Sequence, residues 1–240
     1  MPRFYVDTAL LAGTSALLPE ESAHHAVHVL RVRTGDELTI FNGHGGEYAA
    51  RVASIERLKV LVDLLEHRSV ERESPLRMVL VQGVSAGERM DYTIRKAVEL
   101  GVAEIHPVLA AASVARPKGE RAAARHSHWQ KIAIAACEQC GRNRIPPVAP
   151  LVAVTDYRVA GAGVGILLAP DAELRFSQAC QSGDKEFTIA AGPEAGFNAE
   201  ERARFADAGF TPARLGARVL RTETAGIAAL AALNALRGDF

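Results

Sequence analysis

Three continuous apolar runs constrain the fold more than anything else in this chain: Arg77-Met-Val-Leu-Val-Gln82, Val164-Gly-Ile-Leu-Leu-Ala169 and Phe187-Thr-Ile-Ala-Ala191. Each is of strand length and lacks the polar alternation of a strand with one wet face, so each suits a parallel strand covered on both sides. Helix-capable stretches separate them. Residues 88–100 place Met90, Ile94, Ala97 and Val98 on one face and end at Gly101, where a C′ glycine belongs. This alternation predicts an α/β domain around a parallel sheet. The residues ahead of it read differently. Leu38-Thr-Ile-Phe41, residues 48–55 and residues 59–65 are strand-like, Asn42-Gly-His-Gly-Gly46 is a hairpin signal, and residues 20–30 are the helical candidate. The charged, proline-ended break Val70-Glu-Arg-Glu-Ser-Pro75 parts the two regions. A small β-rich domain over 1–72 and an α/β domain over 73–240 are expected, and 240 residues suffice for two cores.

Lys plus Arg equals Asp plus Glu at 28 each, so only a local excess of charge could point to an acidic partner. One exists between Ser113 and Pro147, where Arg116, Lys118, Arg121, Arg125, Lys131, Arg142 and Arg144 face only Glu120 and Glu138. That stretch is either a phosphate-facing surface or a solvated helix face. No run approaches the roughly 18 to 20 apolar residues of a membrane span, and the start has no apolar signal core. Three cysteines, Cys137, Cys140 and Cys180, are too few for a disulfide framework. A soluble, cytoplasmic protein with no membrane attachment is expected.

Common cofactor fingerprints are missing. The nearest approach to a dinucleotide loop, Gly161-Ala-Gly-Val-Gly165, precedes a strand instead of following one, and no Walker loop is present. Cys137-Glu-Gln-Cys140 with His126 and His128 invites a zinc reading, but residues 129–140 read as one continuous helix, whereas a structural zinc site takes its cysteine pair from a turn. No metal is expected. Two other loops carry more information. Gly192-Pro-Glu-Ala-Gly-Phe197 follows an apolar strand, and Asn198 with Glu201 forms a helix N-cap and capping box, so the loop is a strand-to-helix switch at a carboxyl edge, where open α/β sheets bind ligands. Leu215-Gly-Ala-Arg-Val-Leu-Arg-Thr-Glu-Thr-Ala225 opens a C-terminal stretch, residues 225–236, that is apolar on nearly every face and must be buried within the domain or against another subunit. Leu215, Val219 and Leu220 could wall an aromatic ring, Gly216 lets backbone approach it, and Arg218, Arg221 and Glu223 supply charge where helix-start amides are free.

These segments also carry a resemblance. Pro2-Arg-Phe-Tyr5, residues 25–32, 88–102 and 129–146 (with Glu138-Gln-Cys-Gly-Arg-Asn143), Gly192 to Phe197 and Leu215 to Ala225 resemble, in order, the RsmE-type ribosomal RNA methyltransferases of the knotted SPOUT class. One departure is Ala195, where the family has glycine. The resemblance implies a PUA-like RNA-binding β-barrel followed by a SPOUT domain with a C-terminal trefoil knot, S-adenosylmethionine as cofactor, a homodimer, and N3-methylation of one uridine in 16S ribosomal RNA of the small subunit. Under it the cofactor would lie against Leu168, Gly192, Pro193, Glu194, Ala195, Gly196, Leu215, Gly216, Val219 and Leu220. Arg221 would stabilise a uridinate, and Glu138 or Glu223 would accept its proton. Arg3, His25, Arg31, Arg116, Lys118, Arg142 and Asn143 would hold RNA. Two other classes stay open on the residues alone: a non-catalytic RNA-binding module, and a nicotinamide-dependent oxidoreductase.

Overall fold

The computed structural model describes residues 1–113, 116–158, 163–181 and 183–240. Gly161 and Ala162 of the glycine run before the second apolar strand therefore lie outside the described residues. The chain forms two compact units, Met1–Glu73 with Cys137–Ile145, and Ser74–Ala136 with Pro146–Phe240.

The first unit is built on a five-stranded, curled sheet in the order β1-β3-β4-β5-β2. Its strands are β1 (Arg3–Tyr5), β2 (Ser15–Leu17), β3 (Glu37–Phe41), β4 (Glu47–Glu56) and β5 (Lys59–Arg68). The expected hairpin across Asn42–Gly46 joins β3 to β4 as an antiparallel pair. Alternation along β5 turns Val60, Val62 and Leu64 inward, where they meet Leu38, Ile40, Ala50 and Val52 in one apolar cluster. Strands β1 and β2 are three residues each, too short for any periodicity to reveal. The helix expected over 20–30 is α1 (Glu20–His24), which widens into a π-helical turn over His25–Val29.

A buried polar network explains why Cys137–Ile145 packs here although it lies far along the chain. Glu47, on β4, accepts hydrogen bonds from Arg3 at 2.6 Å, Arg72 at 3.1 Å and Asn143 at 3.2 Å. Asn143, fully buried, also accepts from Arg3 at 2.6 Å and donates to the Val70 carbonyl at 2.6 Å. Arg142 is buried and forked onto Glu73, and Tyr5 N–H donates to Glu138 at 2.9 Å. Arg3, Arg142 and Asn143, expected to hold RNA, each make hydrogen bonds within this unit. No linear pattern reports that.

The second unit is a six-stranded parallel sheet, order β11-β9-β10-β6-β7-β8, with β6 (Arg77–Gly83), β7 (Glu104–Leu109), β8 (Val152–Ala153), β9 (Val164–Leu168), β10 (Glu186–Ala191) and β11 (Phe210–Ala213). The three apolar runs are its adjacent central strands, β9, β10 and β6, as double-sided burial requires. Helix α2 (Arg89–Glu99) buries Met90, Ile94, Ala97 and Val98, the face its spacing predicts. Then come α3 (Glu120–Cys140), α4 (Phe176–Ala179) and α5 (Ala199–Asp207). Asn198 and Glu201 close the expected capping box on α5, each side chain bonded to the other's backbone N–H at 2.9 Å. The C-terminal helix α6 (Thr222–Arg237) starts three residues earlier than the apolar tail suggested, and it buries Gly226, Ala229, Leu230, Leu233 and Asn234 against α2, β6 and β10. No helix among the described residues is long and apolar enough to cross a membrane.

Burial resists ionisation of Glu47, but the hydrogen bonds from Arg3, Arg72 and Asn143 outweigh it and hold its carboxyl below the usual range. A folded-state pKa below the unfolded one gives stability that is fully present above the unfolded value, about 4.3, and is lost as pH falls through the folded value. Glu47→Gln should therefore cost about 3 kcal/mol in urea unfolding at pH 7, and the gap from wild type should shrink below about pH 4. A gap that stays constant down to pH 3 would show that the carboxylate charge contributes nothing.

Candidate active site

Parallel strands end together, and connections that leave neighbours in opposite directions open a crevice between them. Here β6 leads through α2 to β7 on one side, while β10 leads through α5 to β11 on the other. At this carboxyl edge of the second unit lies a cavity of about 490 Å³. Leu168 borders it from the end of β9, then Gly192, Pro193, Glu194, Ala195 and Gly196 after β10, then Leu215, Val219, Leu220 and Arg221 after β11. Thr222, Glu223 and Ala225 of α6 complete that side, with Arg89 of α2 and Arg202 of α5. The two loops singled out from sequence are thus brought together, as one wall each.

Close approach of backbone makes the site. A Cβ on Gly83, the last residue of β6, would overlap Pro193 and sit 2.9 Å from the Gly192 carbonyl carbon. A Cβ on Gly192 would come within 2.9 Å of Gly196 Cα. The glycine loop is a tight turn, closed by Gly196 N–H donating to the Pro193 carbonyl at 2.8 Å. Ala195 keeps a negative φ in this turn, so the family's glycine is not needed there, while Gly196 takes the positive one. Gly216 also has a positive φ, 76°, with only the Arg218 guanidinium near, at 4.0 Å; glycine there serves conformation, not space.

The charged residues divide into pinned and free. Glu194 accepts from Ala86 N–H at 3.1 Å and from Arg89 at 2.7 Å. Burial opposes its ionisation, yet these bonds and one from its own backbone hold its carboxyl below the usual range. Glu194, expected to touch cofactor, borders the cavity and also ties the glycine loop to the β6–α2 turn. Arg202 forks onto Asp171 at 2.9 and 3.0 Å. By contrast, among the described residues the side chains of Arg218, Arg221 and Glu223 have no hydrogen-bond or ion-pair partner, and Val219 beside them is 80 % exposed. Arg221 is the N-cap of α6, its carbonyl accepting from Thr224 and Ala225 N–H, both at 2.9 Å. Its guanidinium therefore sits at the positive end of a 16-residue helix.

The remaining candidates lie elsewhere. Glu138 belongs to the first unit, where burial raises its pKa against the lowering effects of Tyr5 N–H, His25 and Arg3. His25 and Arg31 are exposed in the same unit, Arg31 with φ 54° just past the π-helical turn. Arg116 and Lys118 are exposed in the second unit and line a basic cleft with Arg121 and Arg125 at the start of α3. His126 bonds to the Val148 carbonyl and His128 to Asp91. Sequence reasoning missed Arg89, Arg202, Gln82 and Thr222. For Arg89 a signal existed, the glycine-bearing strand-to-helix turn Gly83-Val-Ser-Ala-Gly87; the others depend on contacts across the sheet edge.

The family model described as the RNA methyltransferase domain matches residues 72–234, and that described as the RNA methyltransferase PUA domain matches residues 18–65. Ribosomal RNA small subunit methyltransferase E of Buchnera aphidicola is 33 % identical over 100 % of this chain and 95 % of its own length. The chain belongs to this family. The Bacillus subtilis member is 30 % identical over 91 % of each chain. A crystal structure of the Neisseria gonorrhoeae member bound to S-adenosyl methionine superposes with a TM-score of 0.92 at 36 % identity, covering 100 % of this chain and 99 % of that one.

If the approach of Gly83 to Pro193 shapes the cavity, Gly83→Ala should lower the stability of the second unit by about 1 to 3 kcal/mol through overpacking. Urea unfolding followed at Trp129, which is buried in that unit, measures it; an unchanged midpoint would mean that the edge is loose enough to absorb a methyl group.

Proposed function

We propose that this chain transfers a methyl group from S-adenosylmethionine to N3 of a uridine in 16S ribosomal RNA of the small subunit. The observation that carries this reading is the unpartnered pair Arg221 and Glu223 at the start of α6, on the wall of a cavity closed by two glycine-bearing loops. Family membership and a relative crystallised with S-adenosyl methionine support the choice of cofactor.

The cavity fits that group. Its volume lies within the usual range for ligand sites, about 300 to 1,000 Å³, and its walls offer glycine backbone, the apolar Leu168, Leu215, Val219 and Leu220, and few fixed charges. Gly192, Pro193, Ala195 and Gly196 would meet the cofactor through backbone, with Glu194 acting by holding their loop, while Gly216, which is not among the lining residues, would shape the facing loop. When bound, S-adenosylmethionine supplies an electrophilic methyl carbon on a sulfonium. What remains for the protein is to place uridine N3 in line and to make it nucleophilic. N3 carries a proton, and the ring attacks well only after losing it. Arg221, reinforced by the helix dipole, favours the resulting uridinate. Glu223, half-buried and without a hydrogen-bond partner among the described residues, accepts the proton, a role that Glu138 leaves to it by spending its carboxylate on Tyr5.

RNA would be held by phosphate contacts from Arg116, Lys118, Arg121 and Arg125, with His25 and Arg31 in the PUA-like unit; such contacts position RNA without reading its sequence. The family's trefoil knot is expected in the path from the glycine loop through α6. Cytoplasmic action follows from a ribosomal substrate. A homodimer is also proposed, because α6 leaves Ile227, Ala231 and a 48 % exposed Leu236 on its outer side. Light scattering at micromolar concentration should return twice the chain mass; a monomer would remove the dimer from this reading.

Arg221→Ala should slow methyl transfer by about 2 to 4 kcal/mol in the barrier while leaving cofactor affinity nearly intact, and Arg221→Lys should stay impaired because it lacks the planar fork of donors. Single-turnover transfer to unmodified small subunits, with nucleoside mapping of the product and calorimetry for the cofactor, separates the two effects. A wild-type rate in the alanine variant would overturn the role of Arg221, and methyl recovered on another atom or base would overturn the N3 assignment.

A further inference from the structure

The two loops of the cavity are joined from beneath by a relay that the proposed chemistry does not yet use. Gln82, the residue of β6 before Gly83, is fully buried. Its Nε2 donates to the Gly83 carbonyl at 3.1 Å and to Thr222 Oγ1 at 3.1 Å. Thr222, also buried, donates its hydroxyl to the Gly192 carbonyl at 2.7 Å. The direction is fixed throughout. A carbonyl at Gly83 requires the amide nitrogen on its side, an amide N–H makes Thr222 oxygen the acceptor, and the hydroxyl proton is left for Gly192.

This orientation leaves Gln82 Oε1 buried without a donor. It faces α6 at Gly226, where a Cβ would stand 3.1 Å away. An orphaned buried acceptor is costly and calls for an explanation. Turning the amide over would satisfy nothing better, since it would set oxygen against the Gly83 carbonyl and cost the donor to Thr222. The strain is thus the consequence of holding Thr222.

Thr222 lies between Arg221 and Glu223 and is the first residue of α6. We propose that Thr222, oriented by Gln82, is a positioning residue: its hydroxyl sets the distance between the glycine loop after β10 and the helix end that carries Arg221 and Glu223. The proposal rests on the methyltransferase reading above and adds how that site keeps its two halves in register. Gln82 lies outside the cavity lining, and Thr222, which borders the cavity, has its hydroxyl turned to the Gly192 carbonyl. Catalysis that depends on alignment is sensitive to such a spacer, because a misplacement of about 1 Å can cost about 100-fold in rate.

Thr222→Val keeps the shape and removes both hydrogen bonds. It should slow single-turnover methyl transfer by about 10- to 100-fold at saturating RNA and cofactor, a larger factor than the loss of cofactor affinity read by calorimetry. Thr222→Ser, which keeps the hydroxyl, should recover most of the rate. Gln82→Met should show a smaller defect, and the double variant Thr222→Val with Gln82→Met should be no slower than Thr222→Val alone, since both act through one relay. Thermal melting checks that each variant is folded, and if Thr222→Val is not, the Gln82→Met protein carries the test alone. A folded Thr222→Val protein with the wild-type rate, a serine variant as slow as the valine one, or defects that multiply in the double variant would each overturn the relay while leaving the methyltransferase reading intact. A wild-type chain that binds cofactor but methylates no RNA would overturn that reading, and the relay with it.

Discussion

Backbone meets backbone at the carboxyl edge of the parallel sheet, and the site depends on that approach. Strands β6 and β10 are hydrogen-bonded neighbours whose connections run in opposite directions, so their end loops must pass each other where no side chain fits. Gly83 and Gly192 lack the Cβ that would prevent it. Once the loops are this close, the amide groups of the turn after β10 line a cavity, Glu194 can reach Ala86 N–H and Arg89, and Thr222 can reach the Gly192 carbonyl. Neighbouring contacts follow from one steric permission.

Electrostatics then separates scaffold from chemistry. Four arginines border the cavity, and two of them, Arg89 and Arg202, are held by carboxylates that fix their loops. Exposed pairs of this kind add little stability, but they settle which charges are already engaged. Arg218 and Arg221 face the cavity with no carboxylate on them among the described residues, at a helix start whose dipole adds to their field. That is a suitable place to stabilise negative charge that develops on a bound ring.

The first unit applies the same accounting with the opposite result. Arg3, Arg142 and Asn143 occupy signature segments of the family, and their chemistry alone is that of RNA contacts. Packed around Glu47 and Glu73, they fasten Cys137–Ile145 to β1 and β4. Breaking such a pair leaves an uncompensated buried charge, a stronger penalty than the pair's own contribution to stability. Exposure is something no residue type announces: His25, Arg31, Arg116 and Lys118 are exposed, and these three are not.

Much was legible in the chain itself because it is governed by local periodicity. Continuous apolar runs became the central strands β6, β9 and β10, the 3.6-residue spacing of Met90, Ile94, Ala97 and Val98 became the buried face of α2, and Asn198 with Glu201 became a capping box. The glycines of the two loops marked the cavity because an absent side chain is visible in a sequence. Strands β1, β2 and β8 were not legible, being two or three residues long and held by their partners. Nor were the return of Cys137–Ile145 to the first unit, the pinning of Glu194, and the relay from Gln82 to Gly192. Each of these joins residues about 30 to 140 positions apart, and hydrogen-bond partners at that separation are chosen by which backbone segments the sheet brings side by side. Sequence by itself determined the central strands, the buried face of α2 and the two glycine-bearing loops, because these follow from local spacing; only the folded chain decided which polar groups are engaged and which remain free, because engagement depends on burial and distance.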